Sequence, residues 1–372
     1  MTEAVKKTIT AADLALHNKQ DDLWLAIGGK VYDLTKWATH HPGGEHLLHS
    51  TAGQDVTSLF RSHHTDHGSG GRAFKMLANL PHIANIEQPA KSKLAADFEN
   101  LQEEIDRDGL YNTSVLFYLN YFCWSLFLLG ISIFLVLRAT DASSTWLAAF
   151  AFGAFLQQTA FLGHDTAHNG ITHIRFWDMV IGVIVGPLST GISTAWWKRN
   201  HNTHHVVTNS ITHDPDIQHM PVLAITDEFW KRHGGTFSFY YKVFFRFDSL
   251  AKVLLSYQHW LFYPIMGLAR WNLYVQGWLL LLNFNVKVEW RLVEMVALMA
   301  YYAWLSLLVS FIPTAGLRTL FLFGSHFIAG SLHVQIVLSH FAMPTFSGPV
   351  YPEGEMGEVF LRQQLATSMD VE

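Results

Sequence analysis

The 372-residue chain contains one cysteine, and this scarcity excludes several kinds of protein. A single thiol cannot build a disulfide framework, a cysteine-ligated zinc site or a CxxCH haem attachment. Charged residues are also few, at 15%, whereas hydrophobic residues reach 50%, which excludes a disordered or coiled-coil protein. The net charge of −5 argues against nucleic acid as a partner, because domains that bind nucleic acid are usually basic.

Histidine, in contrast, is abundant, with 22 residues. Because thiols are scarce, a bound metal would need imidazole ligands, which suit iron, zinc, copper or nickel. No signal peptide is predicted, since the charged N-terminus is not followed by an apolar stretch. The length allows two or three domains.

Long apolar runs occur only after the first hundred or so residues, at Ser114–Leu137, Thr145–Gly163 and about residues 292–312 and 316–342. Each is long enough to cross a hydrocarbon core about 30 Å thick. Between them, residues 164–290 are polar and rich in histidine. Their two short apolar stretches, Met179–Leu188 and Trp278–Phe284, are predicted to form interfacial or buried helices.

These patterns predict three parts. Residues 1–90 form a soluble domain, residues 91–113 a linker helix, and residues 114–372 an all-α membrane domain with four transmembrane helices and a His-rich helical cap. Two spans return the chain to its starting side, which places residues 164–290 with the N-terminal domain. That side is predicted to be cytosolic, because its loops hold most of the positive charge. The charges are Lys198, Arg199, Lys231, Arg232, Lys242, Arg246, Lys252 and Arg270, against Arg138 and Arg318 on the other side.

The N-terminal domain contains a candidate haem site. A strand-like segment, Gly29–Trp37, leads into His41-Pro42-Gly43-Gly44, and a second segment ends in Phe60 and His63-His64. A histidine before proline is held extended, and the glycines let the backbone approach a flat ligand. Two histidines from separate loops can bind a haem iron on both faces, giving a six-coordinate haem that transfers electrons.

The GKVYDLTKW strand, HPGG and the AGQDVT segment resemble a cytochrome b5 domain over about residues 8–85. The resemblance implies an α+β haem-binding domain at residues 8–85, followed by the linker helix at residues 86–113. It also implies haem b with His41 and His64 as axial ligands. His63 and His67 are the neighbouring alternatives to His64. His40, His46 and His49 are predicted to be exposed helix or loop residues. The same is predicted for His67 if it does not replace His64 as the ligand.

Two further histidine clusters follow the second span: His164-Asp-Thr-Ala-His168 and His201-Asn-Thr-His204-His205. On a helix, positions i, i+3 and i+4 share one face, so each cluster directs its imidazoles toward one point. Five nitrogen donors exceed what one zinc uses and favour two metals. Iron suits activation of oxygen in a membrane protein.

With their flanks WWKRNHNTHHVVTN and HDPDIQHMP, these clusters resemble the membrane fatty-acyl desaturases. A fused cytochrome b5 is typical of the front-end members, and the flanks are most similar to the Δ8 sphingolipid desaturases, then to the Δ6 fatty-acyl enzymes. The resemblance implies two non-haem irons and no catalytic residue beyond the metal ligands. The implied ligands are His164, His168, His201, His204, His205 and His340. Side chains that could orient them by accepting the far N–H are Asp165, Asn209, Asp214 and Asp216; for Asp165 a helix cap is the alternative. Trp196 and Trp197 are predicted to mark the membrane interface.

The resemblance implies an O2-dependent lipid desaturase of the endoplasmic reticulum membrane. It would introduce a cis or trans double bond into a long-chain lipid, with Δ8 desaturation of a sphingoid base or ceramide favoured over Δ6 or Δ5 desaturation of an acyl lipid. Electrons would come from NADH through NADH-cytochrome b5 reductase and the fused haem. A lipid hydroxylase is a further alternative.

A departure from the family pattern supports a rival from another class. The family's third box, Q-x-x-H-H, does not occur before Glu372, although Phe360–Glu372 resembles the stretch that leads into it. From the sequence we therefore expect two iron ligands to be missing, in a truncated chain or in one that cannot hold both irons. The latter would be a catalytically inactive, membrane-anchored electron carrier of the b5 type.

Overall fold

The computed structural model describes residues 7–64, 70–87, 93–231, 233–347 and 359–369 of the chain. The chain divides into two compact units. The polar unit comprises Met1–Asn112, Arg199–Ala251 and His340–Glu372, and the helical unit comprises Thr113–Lys198 and Lys252–Ser339. Because the polar unit draws on three stretches, it contains both the N-terminal domain and the second histidine cluster.

Strands and helices alternate in the N-terminal domain, whereas the later elements are mainly helices. The strands are β1 (Thr8–Ile9), β2 (Asn18–Lys19), β3 (Asp22–Ile27), β4 (Lys30–Asp33), β5 (Gln54–Asp55), β6 (His82–Ile86), β7 (Gly235–Ser238) and β8 (Val243–Arg246). The helices are α1 (Ala11–Ala15), α2 (Glu45–Ser50), α3 (Thr57–His63), α4 (Gly70–Asn79), α5 (Lys93–Arg107), α6 (Val115–Val136), α7 (Ala142–Ala167), α8 (Arg175–Val183), α9 (Thr194–Val206), α10 (Glu228–Lys231), α11 (Ser249–Ser256), α12 (Gln258–Leu282), α13 (Arg291–Ser310), α14 (Ala315–Ala329), α15 (Ser331–Phe341) and α16 (Val359–Thr367).

The N-terminal domain is built on a mixed sheet with the order β1-β6-β4-β3-β2, and β5 pairs with β3. The hairpin between β3 and β4 turns at Gly28 and Gly29, whose φ angles of 59° and 80° favour glycine. Leu23 and Leu25 of β3 are buried against the short helices, because alternate residues of a strand face the same side. The predicted α+β fold is confirmed.

Four candidate membrane spans agree with the four predicted from the sequence. They are Val115–Val136, Ala142–Ala167, Arg291–Ser310 and Ala315–Leu338. On α6, large apolar side chains such as Leu116, Phe117 and Leu119 are exposed, as expected where lipid rather than protein covers a helix. The chain is therefore a membrane protein.

Helix α12 corrects the prediction that residues 164–290 contain only short apolar stretches. Its 25 residues run from Gln258 to Leu282 and include Trp278, which had been assigned to a separate short helix. The sequence hides this helix because Pro264 and Arg270 interrupt its apolar run. Arg270 is also fully buried, donating to the Tyr274 hydroxyl at 3.0 Å and the Thr190 carbonyl at 2.7 Å, so it is not one of the loop charges.

The last apolar run, predicted to be continuous over residues 316–342, is interrupted at Gly330. Helix α14 ends at Ala329 and α15 begins at Ser331. A side-chain carbon at Gly330 would lie 2.6 Å from Gly267 Cα of α12. The junction between α14 and α15 therefore crosses α12 in direct backbone contact.

Glycine also lets α7 pack closely against α14. A side-chain carbon at Gly153 would lie 2.7 Å from the Ser325 carbonyl oxygen. We expect Gly153→Ala to lower the free energy of unfolding by about 1–3 kcal/mol, the cost of overpacking a filled interior. Thermal unfolding in detergent measures this. Gly130→Ala on α6 is the matched control, since a carbon there would meet no atom within 4 Å. Equal melting temperatures for the two variants would contradict the packing argument.

A buried carboxylate fixes where α9 begins. Glu294 of α13 accepts hydrogen bonds from the Ser193 hydroxyl at 2.6 Å and from the Ala195 backbone N–H at 2.9 Å. A carboxylate at a helix N-terminus satisfies backbone donors that have no partner within the helix. The start of the helix that carries the second histidine cluster is thereby held in place.

Candidate haem and iron sites

The first predicted haem ligand, His41, is held by the loop that follows it. Its backbone is extended, with φ −62° and ψ 121°, as the proline after it requires. Its Nδ1–H donates to the carbonyl of Gly44 at 2.9 Å. This bond fixes the tautomer that presents Nε2 to a metal. Gly44 has φ 102°, a backbone conformation that favours glycine.

The second predicted ligand, His64, directly follows helix α3. Its ring packs on Phe60 with the ring centroids 4.8 Å apart. Burial, with the nearby His41 and His63, lowers the pKa of His64 to about 4. The imidazole is therefore neutral at physiological pH, which is the form in which histidine binds iron.

The surroundings of these two histidines fit a haem. The core beside them is apolar and includes the buried side chains of Leu25 and Leu34. A side-chain carbon at Gly43 would lie 2.9 Å from His41 Cε1, so glycine is needed to leave room for the ring. Two imidazoles beside apolar walls are the donor set of a six-coordinate haem b.

The first metal cluster lies at the end of helix α7, within the helical unit. The imidazoles of His164 and His168 are one helical turn apart, with centroids separated by 4.7 Å. Trp197 packs edge-on against both rings, at centroid distances of 5.2 and 5.5 Å. Trp197, predicted to mark the membrane interface, thus restricts the rotation of both candidate ligands.

Asp165 connects this cluster to the first span. Its Oδ1 accepts a hydrogen bond from His164 Nδ1 at 2.9 Å, and its Oδ2 accepts one from the Tyr118 hydroxyl at 2.9 Å. The Asp165 carboxylate therefore contacts the His164 imidazole, the arrangement expected of a residue that orients a ligand, and it does not cap the start of a helix. The sequence did not lead us to predict a role for Tyr118. The feature that could have indicated one is its polar hydroxyl group within an otherwise apolar, uncharged span.

The second metal cluster lies on helix α9, within the polar unit. The Nε2 atoms of His201 and His205 are 2.9 Å apart, so both rings point at one position. His204 is only 3% exposed, and its Nδ1–H donates to Asp214 Oδ2 at 2.9 Å. The i, i+3 and i+4 spacing thus places all three imidazoles on neighbouring parts of one helix surface.

Asp214 is fully buried and is satisfied by several donors. Besides His204, its Oδ2 accepts the Asn209 backbone N–H at 2.7 Å, and its Oδ1 accepts the Asp216 backbone N–H at 2.9 Å. Burial alone would lower the pKa of His204, but the Asp214 carboxylate outweighs it and raises that pKa to about 9. In the absence of a bound metal the His204 imidazole is therefore charged at physiological pH. Binding iron through Nε2 would release the Nε2 proton, while the carboxylate keeps the proton on Nδ1.

Asp216 supports the same cluster from a greater distance. Its Oδ2 lies 3.7 Å from His201 Nδ1 and 3.8 Å from His204 Nδ1. It also accepts a hydrogen bond from the side chain of Asn200, another residue that the sequence analysis missed. At these distances the interaction with the imidazoles is electrostatic rather than a direct hydrogen bond.

Asn209 takes part through its backbone as well as its side chain. Its φ of 63° turns the backbone N–H toward Asp214. Its side-chain amide donates to the carbonyls of Pro344 and Thr367, both at 3.3 Å. These contacts tie the loop after α9 to the C-terminal part of the polar unit.

The donors present in each cluster fit non-haem iron. His164 and His168 offer nitrogen atoms within 4.8 Å of each other, as do His201 and His205; His204, Asp214 and Asp216 form another such group. Imidazoles oriented by carboxylates, without thiolate, suit iron. His340 lies on helix α15, but its side chain is outside the described residues.

Similarity to known proteins extends over both parts of the chain. Residues 10–87 match the cytochrome b5-like heme/steroid binding domain, and residues 142–363 match the fatty acid desaturase family. The chain belongs to the cytochrome b5-fused fatty acid desaturases. Of the two ligands that the first family's description offers, the site at His41 and His64 fits haem, because it presents two imidazoles for a metal.

The desaturase is similar to proteins of plants and yeast. It is 35% identical over 369 residues to Delta(8)-fatty-acid desaturase 2 of Arabidopsis thaliana, covering 98% of this chain and 78% of that protein. It is 36% identical over 366 residues to Delta(8)-fatty-acid desaturase of Helianthus annuus, covering 98% and 77%. It is 38% identical over 306 residues to Delta 8-(E)-sphingolipid desaturase of Komagataella phaffii, covering 79% and 53%.

Membership of this family confirms the main predictions about the chemistry. The desaturase is a membrane oxidoreductase that acts on lipid, and its cofactors are haem b and two non-haem irons. When bound, the haem would supply single electrons, and the irons would supply the O2 activation needed to remove two hydrogens from an unreactive chain. Among the candidate ligands, His41, His164 and His204 have imidazoles whose orientation is fixed by hydrogen bonds.

Two histidines of the haem domain correct the prediction of exposed polar residues. His46 and His49 on helix α2 are half-buried rather than exposed, whereas His40 is exposed as predicted. His46 Nδ1 accepts a hydrogen bond from Arg199 Nη1 at 3.2 Å. His67 lies outside the described residues.

Proposed function

We propose that the desaturase introduces a Δ8 double bond into the sphingoid base of a sphingolipid. The observation that carries this proposal is the similarity, over 98% of the chain, to a desaturase named for Δ8 chemistry. The relative from Komagataella phaffii, similar over 79% of the chain, is named for both Δ8 chemistry and sphingolipids. The family reaction consumes O2 and two electrons for each double bond. A haem domain on the same chain raises the local concentration of electron donor to about the millimolar range.

The proposed ligands follow from the two sites. His41 and His64 hold the haem. The iron ligands are His164, His168, His201, His204, His205 and His340. Asp165 and Asp214 orient His164 and His204 through hydrogen bonds of 2.9 Å each, and Asp216 adds negative charge near His201. Asn209 acts through Asp214, because its backbone N–H donates to that carboxylate.

We also propose how the parts are arranged in the cell. Residues 8–85 form the haem domain, residues 86–113, which include helix α5, form the linker, and residues 114–372 form the desaturase domain. The haem domain and histidine clusters face the cytosol, because the positive loop charges lie on that side. The membrane is that of the endoplasmic reticulum, and NADH-cytochrome b5 reductase delivers the electrons to the haem.

A second candidate is desaturation of an acyl lipid. The chain is also 33% identical over 371 residues to Acyl-lipid (9-3)-desaturase of Borago officinalis, covering 100% of this chain and 80% of that protein. Relatives of similar identity are therefore named for different substrates, and the substrate of this chain has to be measured.

The proposal is tested by expressing the desaturase in yeast cells that lack Δ8-unsaturated sphingoid bases. We expect hydrolysed sphingolipids to contain a new Δ8-unsaturated base, detected by mass spectrometry, with fatty acids unchanged. The matched control is a variant with His201→Ala and His205→Ala, which removes two imidazoles whose nitrogen atoms lie 2.9 Å apart. That variant should form no product while retaining the visible absorbance of haem.

Other outcomes would decide between the rivals. New unsaturated or hydroxylated fatty acids, with no new sphingoid base, would transfer the assignment to acyl lipids. No lipid product, together with haem and no other iron in the purified protein, would show a b5-type electron carrier and refute the proposed function.

A further inference from the structure

Within the polar unit, the haem domain contacts helix α9, which carries the second histidine cluster. His46 follows the His41–Gly44 loop by two residues, and Arg199 precedes His201 on helix α9 by two residues. Arg199 Nη1 donates to His46 Nδ1 at 3.2 Å, across 153 residues of sequence. Burial and the charge of Arg199 lower the pKa of His46 to about 3. The imidazole is therefore neutral and can accept from the guanidinium.

The same imidazole is packed against the haem-ligand loop. A side-chain carbon at Gly44 would lie 2.5 Å from His46 Cε1, so the ring covers the glycine whose carbonyl accepts from His41. A continuous series of contacts thus runs from the His41 ring through Gly44 and His46 to Arg199. The guanidinium also lies over the Tyr240 ring, 6.0 Å from its centroid, which limits the positions that it can adopt.

An apolar contact holds the other haem-ligand segment. Helix α3, which precedes His64, packs against helix α16, and the rings of His63 and Phe360 have centroids 6.2 Å apart. Val206 and Leu361 belong to the same apolar cluster as Leu59 of α3. Both segments that carry haem ligands therefore touch parts of the desaturase domain, one through a polar contact and one through apolar packing.

We infer that Arg199 and His46 are positioning residues that fix the His41 loop against helix α9 and so set how fast the haem domain delivers electrons to the non-haem irons. The inference rests on the proposed function for its kinetic consequence. Neither residue touches a reacting atom. A tether alone lets the haem domain sample many orientations, whereas a hydrogen bond from a charged donor selects one.

The first test measures electron transfer within the full-length holoprotein, prepared with both non-haem irons ferric. One electron per haem is delivered rapidly in the absence of O2, and visible absorbance then follows the return of ferrous to ferric haem. The electron lost by the haem reduces one ferric non-haem iron to ferrous. We expect His46→Ala to slow this oxidation about tenfold, the effect of losing a hydrogen bond to a charged group. Oxidation of the same haem by added ferricyanide should be unchanged.

Three further variants separate positioning from general damage. His46→Gln keeps an acceptor for Arg199 and should retain most of the rate. His17→Gln is the matched control, because the His17 Nδ1–H donates to the Asp22 carboxylate at 2.9 Å, a side-chain contact that lies within the haem domain. Arg199→Ala combined with His46→Ala should be no slower than the slower single variant, since both remove one contact.

Hydrogen exchange provides a readout that does not depend on turnover. We expect backbone amides of Glu45–Ser50 to exchange faster in His46→Ala and in Arg199→Ala, with haem and iron contents unchanged. Native exchange together with a native oxidation rate in His46→Ala would overturn the inference. If the unmodified protein holds no non-haem iron, the proposed function fails instead, and unchanged exchange at Glu45–Ser50 would still refute the contact.

Discussion

Replacing His41 by alanine is expected to abolish haem binding while leaving the membrane-spanning helices folded. The His41 Nδ1–H donates to the Gly44 carbonyl at 2.9 Å, which commits the ring to binding metal through Nε2. Alanine removes one axial ligand, and a six-coordinate haem that loses one of its two imidazoles is no longer held from both faces. The visible absorbance of the purified protein measures this loss directly.

The matched control for this substitution is the adjacent residue. His40→Ala removes an exposed imidazole whose side-chain contact is with Thr39, at 3.3 Å, and should leave the haem absorbance unchanged. Far-ultraviolet circular dichroism should show the same helix content in both variants, because the spans lie in the helical unit. An unchanged spectrum in His41→Ala would refute the axial assignment.

Local spacing made the grouping of the candidate ligands predictable. The i, i+3 and i+4 positions of His201, His204 and His205 lie on one helix surface whatever the rest of the fold does. The proline after His41 and the glycines after it likewise dictate an extended backbone and close packing. Such rules need only a few neighbouring residues, so the sequence alone supports them.

The residues that hydrogen-bond to the candidate ligands were only partly predictable. Asp214 lies ten residues after His204 in a loop, and its role depends on the turn at Asn209 with φ 63°. Tyr118 contacts Asp165 across 47 residues and two helices. Spacing carries no information about such contacts, because they depend on how separate elements pack.

Burial was the other quantity that the sequence did not reveal. Arginine is usually exposed, and Arg270 was predicted to be a loop charge. It is instead fully buried on α12, where it donates to the Tyr274 hydroxyl and to the Thr190 carbonyl. His46 was predicted to be an exposed residue, yet its Nδ1 accepts a hydrogen bond from Arg199. A polar residue is buried only where partners compensate its lost hydration, and those partners come from distant segments.

Replacing Asp214 by asparagine is expected to remove most of the non-haem iron. The carboxylate accepts from His204 Nδ1–H, from the Asn209 N–H and from the Asp216 N–H, at 2.9, 2.7 and 2.9 Å. An amide keeps one acceptor oxygen and presents an N–H where a donor already points, so at least one of these bonds is lost. Carboxylates that orient a ligating histidine typically contribute about 10–100-fold to metal affinity.

Metal analysis of the purified protein, expressed as non-haem iron per haem over a range of added iron, measures the effect. We expect Asp214→Asn to require about 10–100 times more iron for the same occupancy. The control is Asp227→Asn in the same unit, where an exposed carboxylate pairs with Lys231 at 2.7 Å and should not affect iron. Native haem absorbance in both variants would show that the polar unit has folded. A native iron affinity in a folded Asp214→Asn protein would show that the buried carboxylate does not position His204 for the metal.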